Sequence, residues 1–208
     1  MRRLLIALTS VVCACSPASI HGQIDGDPVA GARSAIFDTI DLDFGVLGSI
    51  EQLVIILTSV PDACEALDDL YSISELGCDD ICDEIVDMGE DYSFNQDEYY
   101  TITIVANTED GEEGEFDFDD KLQDEEFTAD YFAFDATAFQ DSDECEDQCE
   151  DGDLLDGDLE DGDDGVLTIK KSDGDVVAGK FEIEFGSDEL KGSFRATECN
   201  MSDWLPGA

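Results

Sequence analysis

Positive charge is scarce in this chain. Nine Lys and Arg stand against 55 Asp and Glu, a formal net charge of −46 at pH 7 over 208 residues. Such a surface repels a phosphate backbone, so nucleic acid is excluded as a partner, and binding to anionic lipid head groups is disfavoured on the same ground. Histidine occurs once, at His21, inside a Ser-, Pro-, Gly- and Ala-rich stretch that reads as a tether. That placement excludes a Ser-His-Asp or Cys-His nucleophile system within the domain. The motifs H-E-x-x-H, G-x-x-x-x-G-K-[ST] and G-x-G-x-x-G are absent too, which removes the zinc-protease, P-loop and dinucleotide readings. The apolar run near the N-terminus falls short of the roughly 20 residues that cross a bilayer.

What that N-terminus does carry is an export signal. Arg2 and Arg3 precede Leu4-Leu5-Ile6-Ala7-Leu8 and Val11-Val12, and the first acidic residue is Asp25. A positive region followed by a short apolar one is the pattern of a cleaved leader, expected over residues 1–14. Val12-Cys13-Ala14-Cys15 resembles the lipobox of bacterial lipoproteins. The resemblance implies that Cys15 becomes a diacylated N-terminus, and Ser16 after it, rather than Asp, implies an anchor in the outer membrane. Ordinary cleavage after Ala18 or Gly22 is the alternative. Residues 15–33 are then a lipidated N-terminus followed by a flexible tether.

Residues 34–208 read as a single acidic, β-rich domain. "AIFDTIDLDF" interleaves Asp with β-branched and aromatic residues, as a half-exposed strand does. "EQLVIILTSV" is continuously apolar and fits a strand buried on both faces. After Pro61 the period changes. Cys64, Leu67, Leu70 and Tyr71 mark one face of a short helix, and Cys78, Ile81, Cys82 and Ile85 mark a second that ends near Gly89. Strand patterns return in "EYYTITIVAN", "GEFDFDD" and "ADYFAFDATAF". They close with "GVLTIKK", "DVVAGKFEIEF" and "ELKGSFRATEC", joined by the turn sequences "SDGD" and "GSDE". The expected fold is mainly β, a β-sandwich or flattened barrel of roughly seven or eight strands closed by this terminal meander, with a short helical, disulfide-bonded insertion near residues 62–88. Lys170, Lys171, Lys180, Lys191 and Arg195 all fall in the meander, where cross-strand acidic neighbours would balance them.

The segment "ILTSVPDACEAL" and the terminal pattern G-x-L-x-I, G-x-F-x-I-x-F and G-x-F-x-A-x-x-C, running from Gly165 to Cys199, resemble a group of predicted lipoproteins of Gram-negative bacteria. That group is functionally uncharacterised. The resemblance covers about a third of the chain; it implies a β-rich envelope domain and transfers no catalytic residue.

Beyond Cys13 and Cys15, six cysteines remain: Cys64, Cys78, Cys82, Cys145, Cys149 and Cys199. In an exported chain they argue for three disulfides, for which fifteen connectivities exist. Cys78 and Cys82 share the interval of Cys145 and Cys149, which on helices puts both sulfurs of a pair on one face. Antiparallel packing would join Cys78 to Cys149 and Cys82 to Cys145, leaving Cys64 for Cys199. A zinc site is the less favoured alternative, since zinc knuckles use C-x-x-C and no histidine is at hand to complete a mixed site.

Residues 141–165 form an acidic loop, more than half Asp and Glu with no Lys or Arg. Asp156, Asp158 and Glu160 have the one-three-five spacing of a calcium loop, and Asp161 and Asp163 add carboxylates. Yet Asp161 takes the place of the glycine such a loop requires, and Leu167 that of its last ligand. Weak Ca²⁺ binding is the most this segment offers; a solvated acidic loop is the plainer reading. A carbohydrate-active enzyme needs only two carboxylates, with Tyr99, Tyr100, Tyr131 and Trp204 available for stacking, although at strand spacing such residues more often belong to a core. Asn200-Met201-Ser202 is a glycosylation sequon without consequence in a bacterial envelope. The functional expectation is therefore a lipid-anchored, outer-membrane envelope protein with a non-catalytic structural or binding role and no cofactor. Its partners would be the membrane through the anchor, divalent cations or a basic protein. A calcium-dependent adhesion module and a carboxylate-pair enzyme stand as alternatives.

Overall fold

A computed structural model of the chain describes residues 17–29, 31–43, 49–73, 78–92, 94, 98–108, 112–118, 126–141, 145, 146, 148, 149 and 157–201. In chain order the elements are β1 (Ala18–Ile24), β2 (Asp27–Pro28), β3 (Ser34–Asp43), β4 (Ser49–Thr58), α1 (Ala63–Ile73), α2 (Cys78–Asp91), β5 (Glu98–Asn107), β6 (Gly114–Phe118), β7 (Glu126–Asp135), β8 (Gly157–Asp161), β9 (Asp164–Ser172), β10 (Val176–Phe185) and β11 (Asp188–Glu198). A single 3-10 turn, Thr137–Phe139, follows β7. The leader and the lipobox with Cys15 lie outside the described residues, as do Asp156 and Trp204.

Period-two patterning makes the barrel. Along β10, Val177, Gly179, Phe181, Ile183 and Phe185 are buried while Lys180, Glu182 and Glu184 face solvent. On β5, Tyr100, Ile102, Ile104 and Ala106 point inward and join the same core. Eight strands, in the order β10-β9-β6-β7-β5-β4-β3-β11, close on themselves because β11 also pairs with β10. Closure removes the free edges that an open sheet exposes. Of the two architectures expected, the barrel is the one formed.

β4 is buried on both faces, as its apolar run predicts. Leu53, Ile55 and Leu57 fill the barrel, while Val54 and Ile56 belong to a second core beneath the helices. β3 departs from the half-exposed expectation: Ala35 and Phe37 point inward, but Ile36 and Ile40 are also buried, in that second core. The helices press Ala63, Ala66, Leu67, Leu70, Cys82, Ile85 and Met88 against this outer apolar face. Tyr71, expected on the buried face of α1, is instead half exposed at 50%.

Two seams of the barrel are completed by segments that read as unstructured. β11 meets β3 through only Thr197 and Glu198; the preceding stretch of its edge, Leu190 to Phe194, is taken by β1 from Gly22 to Ala18. The flexible-tether reading of residues 15–33 is therefore corrected from Ala18 onward. The same happens across the barrel, where β7 bonds β6 through Glu126 and Phe127 and β8 through Asp130 to Phe134. Part of the acidic loop 141–165 is thus a strand. Buried backbone groups require partners, and these edges recruit whatever chain lies alongside. Local signals were available for β1: Ala18 and Ile20 are buried in alternation with exposed Ser19 and His21. Asp25 and Gly26 follow at φ 51° and 88°, the Asp-Gly pair of a tight hairpin turn.

The glycines of the terminal motif serve the packing. Phe194 pairs across strands with Gly179, and Phe181 with Gly192. A Cβ at Gly179 would come within 2.8 Å of the Phe194 ring, and one at Gly192 within 2.6 Å of the Phe181 ring. Each glycine is the space that the opposite ring occupies.

The cysteines form Cys64–Cys199, Cys78–Cys149 and Cys82–Cys145, the connectivity that the spacing predicts. No thiol of the six is left for zinc. The bridges tie α1 to the end of β11, and α2 to helical turns at 145–149.

Two outcomes test this fold. A Cys64→Ala/Cys199→Ala variant, which opens a cross-link between residues 135 apart, loses about 2–5 kcal/mol in denaturant unfolding. Gly192→Val loses roughly 1–3 kcal/mol, because its Cβ would also stand 2.5 Å from the Ser19 carbonyl oxygen; a stability equal to that of the parent chain would contradict the ring-over-glycine packing.

Candidate functional site

α1 starts where the chain leaves β4, and its position is set at that end. The Ser34 hydroxyl donates to the Val60 carbonyl at 2.7 Å and accepts the Ala63 amide at 3.2 Å. The Asp62 carbonyl accepts the Glu65 and Ala66 amides, and Cys64 is bridged to Cys199. α2 is fixed independently by two bridges and by a close approach at Gly89, where a Cβ would overlap the Phe139 carbonyl oxygen. Between this stapled layer and the outer face of β4, β5 and β7 the packing is incomplete.

The gap is a cleft of about 230 Å³. α1 supplies Ala66, Leu67 and Leu70 to one wall, and Phe94, Phe132, Phe134 and Phe139 supply aromatic surface. The Phe94 and Phe139 rings stack at 4.6 Å, and Phe132 and Phe134 at 5.9 Å. Thr58, Thr101 and Thr103 are its polar lining. Two of these hydroxyls are already engaged: Thr101 donates to Thr58 at 3.1 Å, and Thr58 donates to the Tyr100 carbonyl at 2.6 Å. No charged side chain is among the described residues that line it, in a chain with 55 carboxylates. Such a surface offers dispersion and desolvation, with little to polarise a bond.

The carboxylates that the sequence singled out are not gathered. Asp161 lies opposite Asp130 on the outer face, whereas Asp158 and Glu160 pair with Ala133 and Tyr131 and take the other side of β8. Asp163 accepts the Gly186 amide at 2.6 Å. Among the described residues no group of three or more His, Cys, Asp or Glu is arranged to hold a metal ion; Asp156 is outside them. The facing pair has an electrostatic cost: burial, then the charge of Asp161, raises the Asp130 carboxyl above its ordinary value. Tyr99, Tyr100 and Tyr131 are buried core residues. Burial and the nearby Glu98, Asp27 and Asp158 push the Tyr131 phenol up to about 12.

His21 requires a correction. It sits on β1 within the folded body, with its Nε2 3.1 Å from the Ser19 hydroxyl, so a tether location does not exclude it from chemistry. Its cross-strand partner is Lys191, which is ion-paired to Glu182 and Glu189. The apolar cleft is a feature that sequence reasoning missed. Its walls come from α1, three strands and the 3-10 turn, and each residue taken singly reads as core. Comparison of the chain with protein-family models, curated proteins and solved structures returned no match.

The Asp130–Asp161 pair yields a pH test. A carboxyl raised in the folded state makes folding favour its protonated form, so its contribution to stability is present at low pH and is lost as pH rises through the folded-state value. Asp130→Asn therefore raises Tm at pH 7 by about 1–3 °C, from roughly 0.2–1 kcal/mol for a like-charge facing pair. The gain shrinks as the pH is lowered and the raised Asp130 carboxyl takes up its proton; a gain undiminished in acid would contradict this origin.

Proposed function

We propose that the protein is a non-catalytic binding domain of the bacterial cell envelope, lipid-anchored through Cys15 in the outer membrane, and that its apolar cleft holds a small apolar ligand. The single observation that carries the reading is the cleft, a cavity with no charged side chain among its described lining residues in a chain of formal net charge −46. A 150 Å³ cavity lined by Leu, Ile and Phe stays dry and takes up benzene. At about 230 Å³, this cleft suits a larger molecule, a fused aromatic or a short acyl chain. Aromatic walls give such a ligand area and orientation. The acidic exterior keeps the domain soluble and apart from its neighbours, and the three disulfides hold the cleft wall in an oxidising compartment. The sequence pattern of Arg2, Arg3 and the Val12 to Cys15 lipobox supports export and anchoring.

The test uses N-phenyl-1-naphthylamine, a neutral apolar fluorophore, so that the protein's charge does not bias the result. The oxidised protein brightens the probe with a micromolar Kd. Leu67→Trp, which fills the cleft from α1, weakens the probe at least tenfold while leaving the unfolding midpoint close to that of the parent. Equal binding by the filled variant, or none by the parent, would sink the ligand reading.

A further inference from the structure

Cations are few in this chain, and most are in one place. Lys170, Lys171, Lys180, Lys191 and Arg195 lie on β9, β10 and β11. The register sets Ser19 opposite Ser193, Ser193 opposite Lys180, and Lys180 opposite Thr168. A row of hydroxyl, hydroxyl, ammonium and hydroxyl thus crosses the outer face of four adjacent strands. The neighbouring row is His21, Lys191, Glu182 and Val166. Both rows line an open hollow of about 420 Å³.

The acidic neighbours expected to balance these cations do so only in part. Lys191 bonds Glu182 and Glu189 at 2.8 Å each, and Lys171 bonds Asp173. Lys170, Lys180 and Arg195 make no ion pair with any described residue. Arg195 stands near enough to Asp173 to lower that carboxyl, though less than Lys171 does. Lys170 faces Lys180, and its ammonium is held below the ordinary value by lost hydration and then by that second charge. Two adjacent lysines without a carboxylate are costly in a chain so rich in carboxylates, and an anion with several oxygens between them would relieve both.

The location of this face says which anion it meets. The Arg195 amide donates to the Pro17 carbonyl at 2.8 Å. Cys15 is two residues from Pro17, and two residues of chain span at most about 7 Å. An acyl group on Cys15 therefore enters the bilayer beside this face. We propose that the outer face of β9, β10, β11 and β1 is a docking surface for the phosphate groups of anionic lipid, read by the row from Ser19 to Thr168 with Lys170, Lys191 and Arg195 flanking it. This rests on the anchoring of Cys15 in the reading above and is independent of the cleft. The total charge does not forbid it. Screening acts over about 8 Å at physiological ionic strength, so a head group responds to the cations next to it and hardly to carboxylates on the far side. It reverses locally the repulsion that composition alone implies.

The experiment reconstitutes the mature protein, acylation of Cys15 having been confirmed by mass, into phosphatidylcholine vesicles with and without phosphatidylglycerol. It then measures how fast a water-soluble acylating reagent labels Lys170 and Lys180. Each lysine at an anionic surface changes affinity roughly fivefold, so labelling of the pair falls at least about tenfold in the anionic vesicles. In the Lys180→Glu variant, Lys170 labels at its phosphatidylcholine rate, while Lys180→Gln, a milder change, gives an intermediate value. Equal rates in the two vesicles would overturn the proposal. So would protection by inorganic phosphate without protection by phosphatidylglycerol, which would mark a site for a soluble phosphate ester. Should the mass show no acyl group, the anchoring reading fails on its own, and the face is judged by flotation of the unacylated protein: co-flotation with the anionic vesicles alone supports it, and its absence overturns it.

Discussion

A formal charge of −46 must be held at the surface of one folded body, and the rest of the structure follows from that constraint. Self-repulsion opposes compaction, so the apolar area has to be gathered largely inside and the carboxylates turned outward. The barrel does this with the fewest exposed backbone edges. Its strands place Lys180, Glu182 and Glu184 outside and Phe181, Ile183 and Phe185 within. Such patterning keeps each charge in water at no cost to the core. The helical layer has a weaker claim to stability. α2, with the sequence CDDICDEIVDMGED, buries Ile85, Met88 and Cys82 but carries acids along its other side. Covalent bridges hold such a helix where a thin apolar stripe alone would hold it poorly. Cys78–Cys149 and Cys82–Cys145 lie one helical turn apart and fix its rotation as well as its position.

What could be read from the sequence was what depends on local period and spacing. The alternation in β9 to β11, the doubly buried run of β4, the helical change of period after Pro61 and the matched intervals of four cysteines each have a one-dimensional signature. The elements that escaped are those whose stability is borrowed. β8 has little apolar content, since Leu159, its one large apolar side chain, is 62% exposed, and β1 gives the core only Ala18, Ile20 and Ile24. They are strands because β11 and β7 present unpaired edges, and that demand arises only once the barrel exists. The same holds for the cleft. Phe132 and Phe134 alternate as core residues would, but α1 covers the outer face of β7 only partly, and no local pattern records how far a helix reaches.

The displaced expectation about β1 changes the picture of the molecule more than its length suggests. A flexible tether would have left residues 18 to 28 outside the barrel's hydrogen-bond network. A strand beginning at Ala18, with the Arg195 amide bonded to the Pro17 carbonyl, makes this segment part of the sheet, and its direction is set by the hydrogen bonds of β1 to β11. Those bonds run from Ala18 to Gly22, where a Cβ at Gly22 would stand 2.0 Å from the Glu189 carbonyl oxygen. This close approach draws the two strands together, and it brings Ser19 and His21 onto the same surface as Ser193 and Lys191.

Charge segregation then acquires a direction. Lys170, Lys180, Arg195 and the hydroxyl row occupy the face that contains β1, and the cleft lies elsewhere, over β4, β5 and β7 under α1. In the barrel order, β9 and β10 are separated from β4 and β5 by β6 and β7 on one side and by β11 and β3 on the other. The two surfaces are therefore separate regions of the barrel wall. A barrel wall divided in this way carries two different surfaces on one core: one arc is polar and holds most of the cations, and the other bears an apolar pocket. Cys78–Cys149 and Cys82–Cys145 hold α2, while Cys64–Cys199 ties α1 to the residue that follows β11, so the covalent staples join the helical layer to the end of the Gly-x-Phe meander and leave the outer face of that meander open.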